Sequence, residues 1–130
     1  MHELLLHLVG DYLLQTEQMA LRKTKSWFWA ITHALVYSLP FLLLIGPNTV
    51  GWLVIFLTHA VIDRYRLAAH VCRFKNVFWF GPGRPEFDTD TGYSKETPPH
   101  VKFWLVVIVD NTCHLLINHL SLKFLNIPMF

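Results

Sequence analysis

Four apolar stretches run along the chain, each broken by a few polar residues at helical spacing. The first covers residues 2–20. Its leucines recur at helical intervals, while His7, Asp11 and Gln15 fall at i, i+4 and i+8 and make one polar stripe on an oily helix. The second, about residues 26–45, is apolar except for His33 and contains Pro40, which is expected to kink it. The third, about 50–71, carries His59 and Asp63 and ends in Arg64, Arg66 and His70. The fourth, about 101–120, contains Asp110, Asn111, His114, Asn118 and His119. The uncharged turn Gly46-Pro47-Asn48-Thr49 makes segments two and three antiparallel neighbours. Residues 73–100 are polar and rich in Gly, Pro and charge, and they read as one long loop. The pattern predicts an all-α chain, a single domain spanning residues 1–130, built as an integral membrane four-helix bundle with a long loop between helices three and four.

Composition strengthens the membrane reading. The 130 residues are 53% hydrophobic and only 15% charged, and the mean hydropathy is +0.36, which is too apolar for an ordinary small soluble domain. A net charge of +2 is too small to suggest a nucleic-acid protein, and no nucleic-acid partner is expected. Cys72 and Cys113 lack C-x-x-C spacing and are expected to be free thiols. No basic region followed by a small-residue cleavage site marks a removable signal peptide at the N-terminus. The first connector (Arg22, Lys23, Lys25) and the long loop are basic, whereas the turn at Pro47 is uncharged. The positive-inside rule then puts both basic loops in the cytoplasm and both termini outside. Within the long loop, Asp88-Thr89-Asp90-Thr91-Gly92 has the flavour of a calcium loop. It lacks the closing Glu at the right distance and is read as a solvated turn.

The polar residues inside the apolar segments carry the chemistry. His7/Asp11 and His59/Asp63 are i, i+4 pairs, and Asp110/His114 is the same pair in reverse order. Counted from the cytoplasmic helix ends at about 1.5 Å per residue, all three pairs and His33 fall in one slab of the membrane. The reversal in segment four is what an antiparallel helix needs to match His with His and Asp with Asp in depth. Hydrogen-bonded His–Asp pairs that merely hold a bundle together are the alternative, but such pairs contribute only about 1 kcal/mol each. Buried aspartates side by side need protons, cationic histidines or metal to offset them. His7, Asp11, His33, His59, Asp63, Asp110 and His114 form a mixed N/O donor set suited to a divalent ion: zinc first, with manganese or iron as alternatives, and one or two ions in number.

These residues also carry a resemblance. An N-terminal His-x-x-x-Asp-aromatic-x-x-Gln (His7, Asp11, Tyr12, Gln15), a lone His33, His-x-x-x-Asp (His59, Asp63) and Asp-Asn-x-x-His (Asp110, Asn111, His114) resemble the small bacterial and phage membrane proteins called domain of unknown function 3307. That family is in turn similar to membrane-bound proteins described as metal-dependent hydrolases. Many of its members carry a Lys after the second motif, where this chain has Arg64-Tyr65-Arg66. The resemblance implies a multi-pass protein of the bacterial inner membrane. The leading expectation is a metal-dependent hydrolase in which Asp11 or Asp63 serves as general base. Gln15, Arg64, Arg66 and Asn111 are expected to contact an anionic substrate, either a phosphorylated lipid or a small metabolite. Its partners are then the lipid bilayer and that substrate, with a homo-oligomer compatible with how little four helices bury. The rival readings are a proton or divalent-ion transporter and a non-catalytic phage protein that modifies the envelope. The purely apolar stretches 41–45 and 52–56 argue against a polar path through a monomer.

Overall fold

Residues 2–80 and 85–125 are described in the computed structural model. Helix α1 (His2–Leu8) passes directly into a π-helical segment, Val9–Leu13. That segment is closed by a bond from Leu14 N to Val9 O at 2.9 Å. Thr16 then adopts an extended backbone, and its hydroxyl accepts from Met19 N at 3.3 Å, which starts α2 (Glu17–Arg22). Helix α3 (Trp27–Leu44) runs through Pro40. Gly46 turns the chain with a φ of 64°, a conformation suited to glycine. The Asn48 carboxamide oxygen then accepts from Gly51 N at 2.8 Å and opens α4 (Thr49–Tyr65). Arg66 takes a left-handed φ of 53°, uncommon for a residue with a side chain, and stops α4. Helix α5 (Leu67–Phe80) comes next, and α6 (Pro99–Phe124) ends the described chain. All regular elements among the described residues are helical.

Three of the four expected helices differ in their boundaries. The helix expected over 2–20 is broken after the π segment, because the Thr16 hydroxyl caps a new helix instead of letting the first continue. The helix expected over 50–71 ends at Tyr65, and residues 73–80, expected to open the loop, are helical in α5. The left-handed Arg66 separates the two. The fourth helix is longer at both ends than the expected 101–120. As a result two helices among the described residues, α3 and α6, are long and apolar enough to cross a membrane, where the sequence pattern predicts four. The chain divides into two units, Met1–Tyr65 with His114–Phe130, and Arg66–Cys113.

In the first unit, α3 packs on α4 around Tyr37, Phe41 and Ile55, with Leu6 of α1 completing the cluster. The Trp52 indole N–H donates to Ser38 O at 3.3 Å and ties the two helices together. Gly10 lets the π segment lie directly against α3, since a Cβ there would overlap the ring of Tyr37. Gly10→Ala is therefore expected to cost about 1–3 kcal/mol by overpacking, read as a lower melting temperature in detergent. The distribution of polarity is inverted relative to a soluble domain. His7, His33, Ser38, His59, Asp63, His114, Asn118 and Ser121 are buried. Phe28, Ile31, Leu35, Leu39 and Leu42, at three- and four-residue steps along α3, are exposed.

In the second unit, the segment after α5 folds into a turn around Gly92. This residue has a φ of 72° and lies so close to the backbone of Ala69 and Arg73 that a side chain would collide with it. Asn76 donates to Gly92 O at 2.9 Å. The Asp88 carboxylate accepts from Asp90 N at 2.8 Å and pairs with Lys102 at 3.2 Å. These contacts, the backbone bond first, hold its pKa below the usual carboxylate range. Asp90 pairs with Arg66 at 3.1 Å. Both carboxylates of the calcium-like stretch are thus engaged by cationic side chains, consistent with a turn and not an ion site.

Candidate metal centre

Three helices present polar groups of the first unit on a four-residue stripe: His33 and Tyr37 on α3, His59 and Asp63 on α4, His114 and Asn118 on α6. The π segment supplies the remaining carboxylate. A π turn adds one residue to a helical turn and re-aims the side chains after it, a device frequent at functional sites. Here it carries Asp11, which is 7% exposed, into the interior.

The atoms converge closely. His33 Nε2 and His59 Nε2 stand 3.0 Å apart. Asp11 Oδ1 lies 3.1 Å from the first and 3.4 Å from the second. Asp63 Oδ2 lies 3.3 Å and 3.2 Å from the same two nitrogens. Two triangles therefore share the His33–His59 edge, one closed by Asp11 and the other by Asp63. Three ligands held at about 2.0–2.1 Å from a tetrahedral ion are separated by about 3.3–3.4 Å. Each triangle has sides of that size, so each can serve as the three-ligand face of a metal site with its fourth position open. A third triplet of mutually close donor atoms comes from Asp11, His59 and His114. The Nδ1 atoms of His33 and His59 are buried without a hydrogen-bond partner among the described residues, so both rings commit their polar interaction to the Nε2 side. These buried His and Asp groups can hold a metal ion.

The two carboxylates differ in their charge environment. The Lys23 ammonium sits 2.9 Å from Asp63 Oδ2 and 3.3 Å from His33 Nε2, reaching in from the connector after α2 with its side chain 16% exposed. His114 Nε2 approaches the other oxygen of Asp63 at 3.5 Å. Asp63 is therefore gripped from two sides and has a cation. Asp11 pairs with the imidazoles of His7, at 3.4 Å, His33 and His59.

Around this core, Tyr37 stacks on His59 with ring centroids 3.6 Å apart. Asn118 Nδ2 donates to the Tyr37 oxygen at 2.6 Å, which leaves the hydroxyl proton available to His7 Nδ1 at 2.9 Å. His7 is thereby turned toward Tyr37, beside the triangles.

The model of the family described as "Protein of unknown function (DUF3307)" matches residues 1–117. The chain belongs to the DUF3307 family. Comparisons with curated proteins and with solved structures gave no match. The matched span of the DUF3307 chain contains every residue of the cluster except Asn118.

Of the seven ligand candidates read from the sequence, six (His7, Asp11, His33, His59, Asp63 and His114) lie in the first unit of this DUF3307 chain. Asp110 and Asn111 belong to the second unit, one helical turn before His114 on α6. Gln15 lies in the break after the π segment, and its amide donates to Asp11 O at 3.1 Å, so it fixes the backbone that carries the carboxylate. Arg64 donates to Thr24 O at 2.8 Å and lies over the rings of Trp27 and Tyr65, which anchors the connector bearing Lys23. Arg66 is engaged with Asp90 in the second unit. Sequence reasoning missed Lys23, Tyr37 and Asn118. Tyr37 and Asn118 stand four residues after His33 and His114, so the helical stripe already marked them. Lys23 gave no such signal, because its reach depends on the break at Thr16.

Proposed function

We propose that this DUF3307 protein is an integral membrane hydrolase dependent on a divalent ion, zinc first, acting on a phosphorylated lipid or small anionic metabolite. The observation that carries the reading is the Asp11–His33–His59 triangle, a buried three-donor face of metal-site dimensions beside a second carboxylate. The ion would sit on this face because the Lys23 ammonium is in direct contact with Asp63, whereas the ion pairs of Asp11 seen among the described residues are with the imidazoles of His7, His33 and His59. When bound, a divalent ion supplies Lewis acidity and lowers the pKa of water. Asp63, held by Lys23 and His114, would serve as general base toward the attacking water. Tyr37 fixes the His7 ring beside Asp11, in the outer shell that tunes a metal ligand.

The inverted polarity of the first unit and the two spanning-length helices support placement in a membrane, as a multi-pass four-helix bundle of the bacterial inner membrane. The basic connector then faces the cytoplasm and both termini face outward. Arg22, Lys25 and Arg64 would give an anionic head group a favourable approach.

Metal analysis is the direct test. Protein purified in detergent without added ions, or titrated with zinc, is expected to hold about one ion per chain, the occupancy of a single three-ligand face. Hydrolysis of a phosphate ester is expected to stop on chelation and return with zinc. A preparation that neither contains nor binds a divalent ion refutes the proposal. Bound ion with flux in proteoliposomes and no hydrolysis replaces it with transport.

A further inference from the structure

We infer that Lys23 is the anion-fixing residue of this centre, and that the site takes an oxyanion of the phosphate class between the Lys23 ammonium and the ion on the Asp11–His33–His59 face. The inference rests on the proposed metal site and specifies what it recognises.

Charge is the first argument. Asp11 and Asp63 contribute two negative charges, and Lys23 contributes one positive charge within 2.9 Å of Asp63. A divalent ion on the Asp11 face would put two positive centres, the ion and the ammonium, side by side in a setting where Asp63, His33 and His59 are each no more than 5% exposed. Two positive centres side by side in a poorly hydrated site are costly unless an anion bridges them. A ligand that bridges them is therefore anionic.

Geometry is the second argument. The Lys23 nitrogen is 3.3 Å from His33 Nε2, one corner of the metal face, so it borders that face. An oxyanion with several oxygens can place one at that position and another on the ammonium. The side chain enters from the connector and keeps partial contact with solvent, so it lies at the mouth of the site and not at its floor. The connector itself is pinned by the Arg64 bond to Thr24 O at 2.8 Å and by Arg22 over the Trp29 ring, so the ammonium is delivered from a fixed backbone. A neutral substrate would offer no charge to bridge the ammonium and the ion, which makes the residue a determinant of specificity and not only of folding.

The test uses the full chain in detergent micelles loaded with cobalt(II), whose visible absorption reports its ligand sphere. Titration with inorganic phosphate, and separately with a short-chain phosphatidic acid, is expected to shift the cobalt bands saturably. Lys23→Gln is expected to weaken the phosphate titration at least about tenfold, the loss of one charge-assisted contact of about 1.4 kcal/mol or more. Its cobalt affinity should be unchanged or tighter, and Lys23→Arg should recover part of the phosphate binding. A shift with both titrants names a free phosphate ester as sufficient, and a shift with the lipid alone puts the anion's source in the bilayer. Cobalt bands that ignore both titrants, or equal phosphate affinity in the Gln variant, overturn this inference and leave the metal site standing. Failure to bind cobalt overturns the metal site, and this inference with it.

Discussion

Asp11→Asn is expected to empty the metal centre, while Asp63→Asn is expected to leave the metal in place and abolish turnover. The two carboxylates look alike in sequence, each four residues after a histidine. They differ in the structure because Asp63 carries the Lys23 ammonium at 2.9 Å and Asp11 is surrounded by imidazoles. An asparagine at position 11 presents a neutral oxygen to the His33–His59 edge. Structural zinc sites bind with about 10–16 kcal/mol over four ligands, or about 3 kcal/mol each. Losing the carboxylate should therefore weaken zinc by about two orders of magnitude or more. At position 63 the same change removes the group placed to accept a proton, a role that contributes about 10²–10⁴ in rate. Zinc content by mass spectrometry and initial rates on a phosphate ester separate the two variants. Loss of zinc from the Asp63 variant with retention in the Asp11 variant would exchange the roles. Loss from both would make both carboxylates ligands.

The difference between the two aspartates also marks where the sequence stops being informative. The place of Asp63 beside His59 on one inner surface was legible from the i, i+4 spacing, since the helices that carry His33, His59 and His114 are regular and side chains four apart must share a face. The same rule extends to Tyr37 and Asn118. It fails in the first segment, where Asp11 sits in a π turn. There a depth count at about 1.5 Å per residue assumes a regularity that the backbone does not have. The break after that turn, fixed by the Thr16 cap, sends residues 17–22 into a separate helix and brings Lys23 to Asp63. A cap of one hydroxyl is a weak signal inside an oily stretch, and its consequence for a lysine seven residues later is tertiary. Arg66 is a similar case. Nothing in Asp63-Arg64-Tyr65-Arg66 announces a left-handed residue. That turn ends α4 at Tyr65 and makes α5 a separate element, where the sequence reads as one helix and then a loop.

Lys23 also sets the second large effect, which concerns stability in place of activity. Lys23→Met is expected to destabilise the metal-free protein by about 3 kcal/mol and the zinc-loaded protein by much less. Removing one partner of a buried ion pair typically costs about 3–5 kcal/mol, because the other charge is left without compensation. The lower figure applies because the Lys23 side chain is 16% exposed and Asp63 3%. Methionine keeps the stem's packing and removes only the charge. Without metal, Asp63 then faces Asp11 across the two histidines with no cation supplied by the connector. With zinc on the Asp11 face, the ion offsets both carboxylates and most of the penalty disappears. Linkage fixes the corollary: a change that harms only the metal-free state must tighten metal binding by the same free energy, about a hundredfold for 3 kcal/mol. Melting in detergent with and without zinc, together with a competitive zinc titration, reads both quantities. Equal destabilisation of the two forms, with unchanged zinc affinity, would mean that Lys23 holds the connector and that the charge of Asp63 is offset from elsewhere.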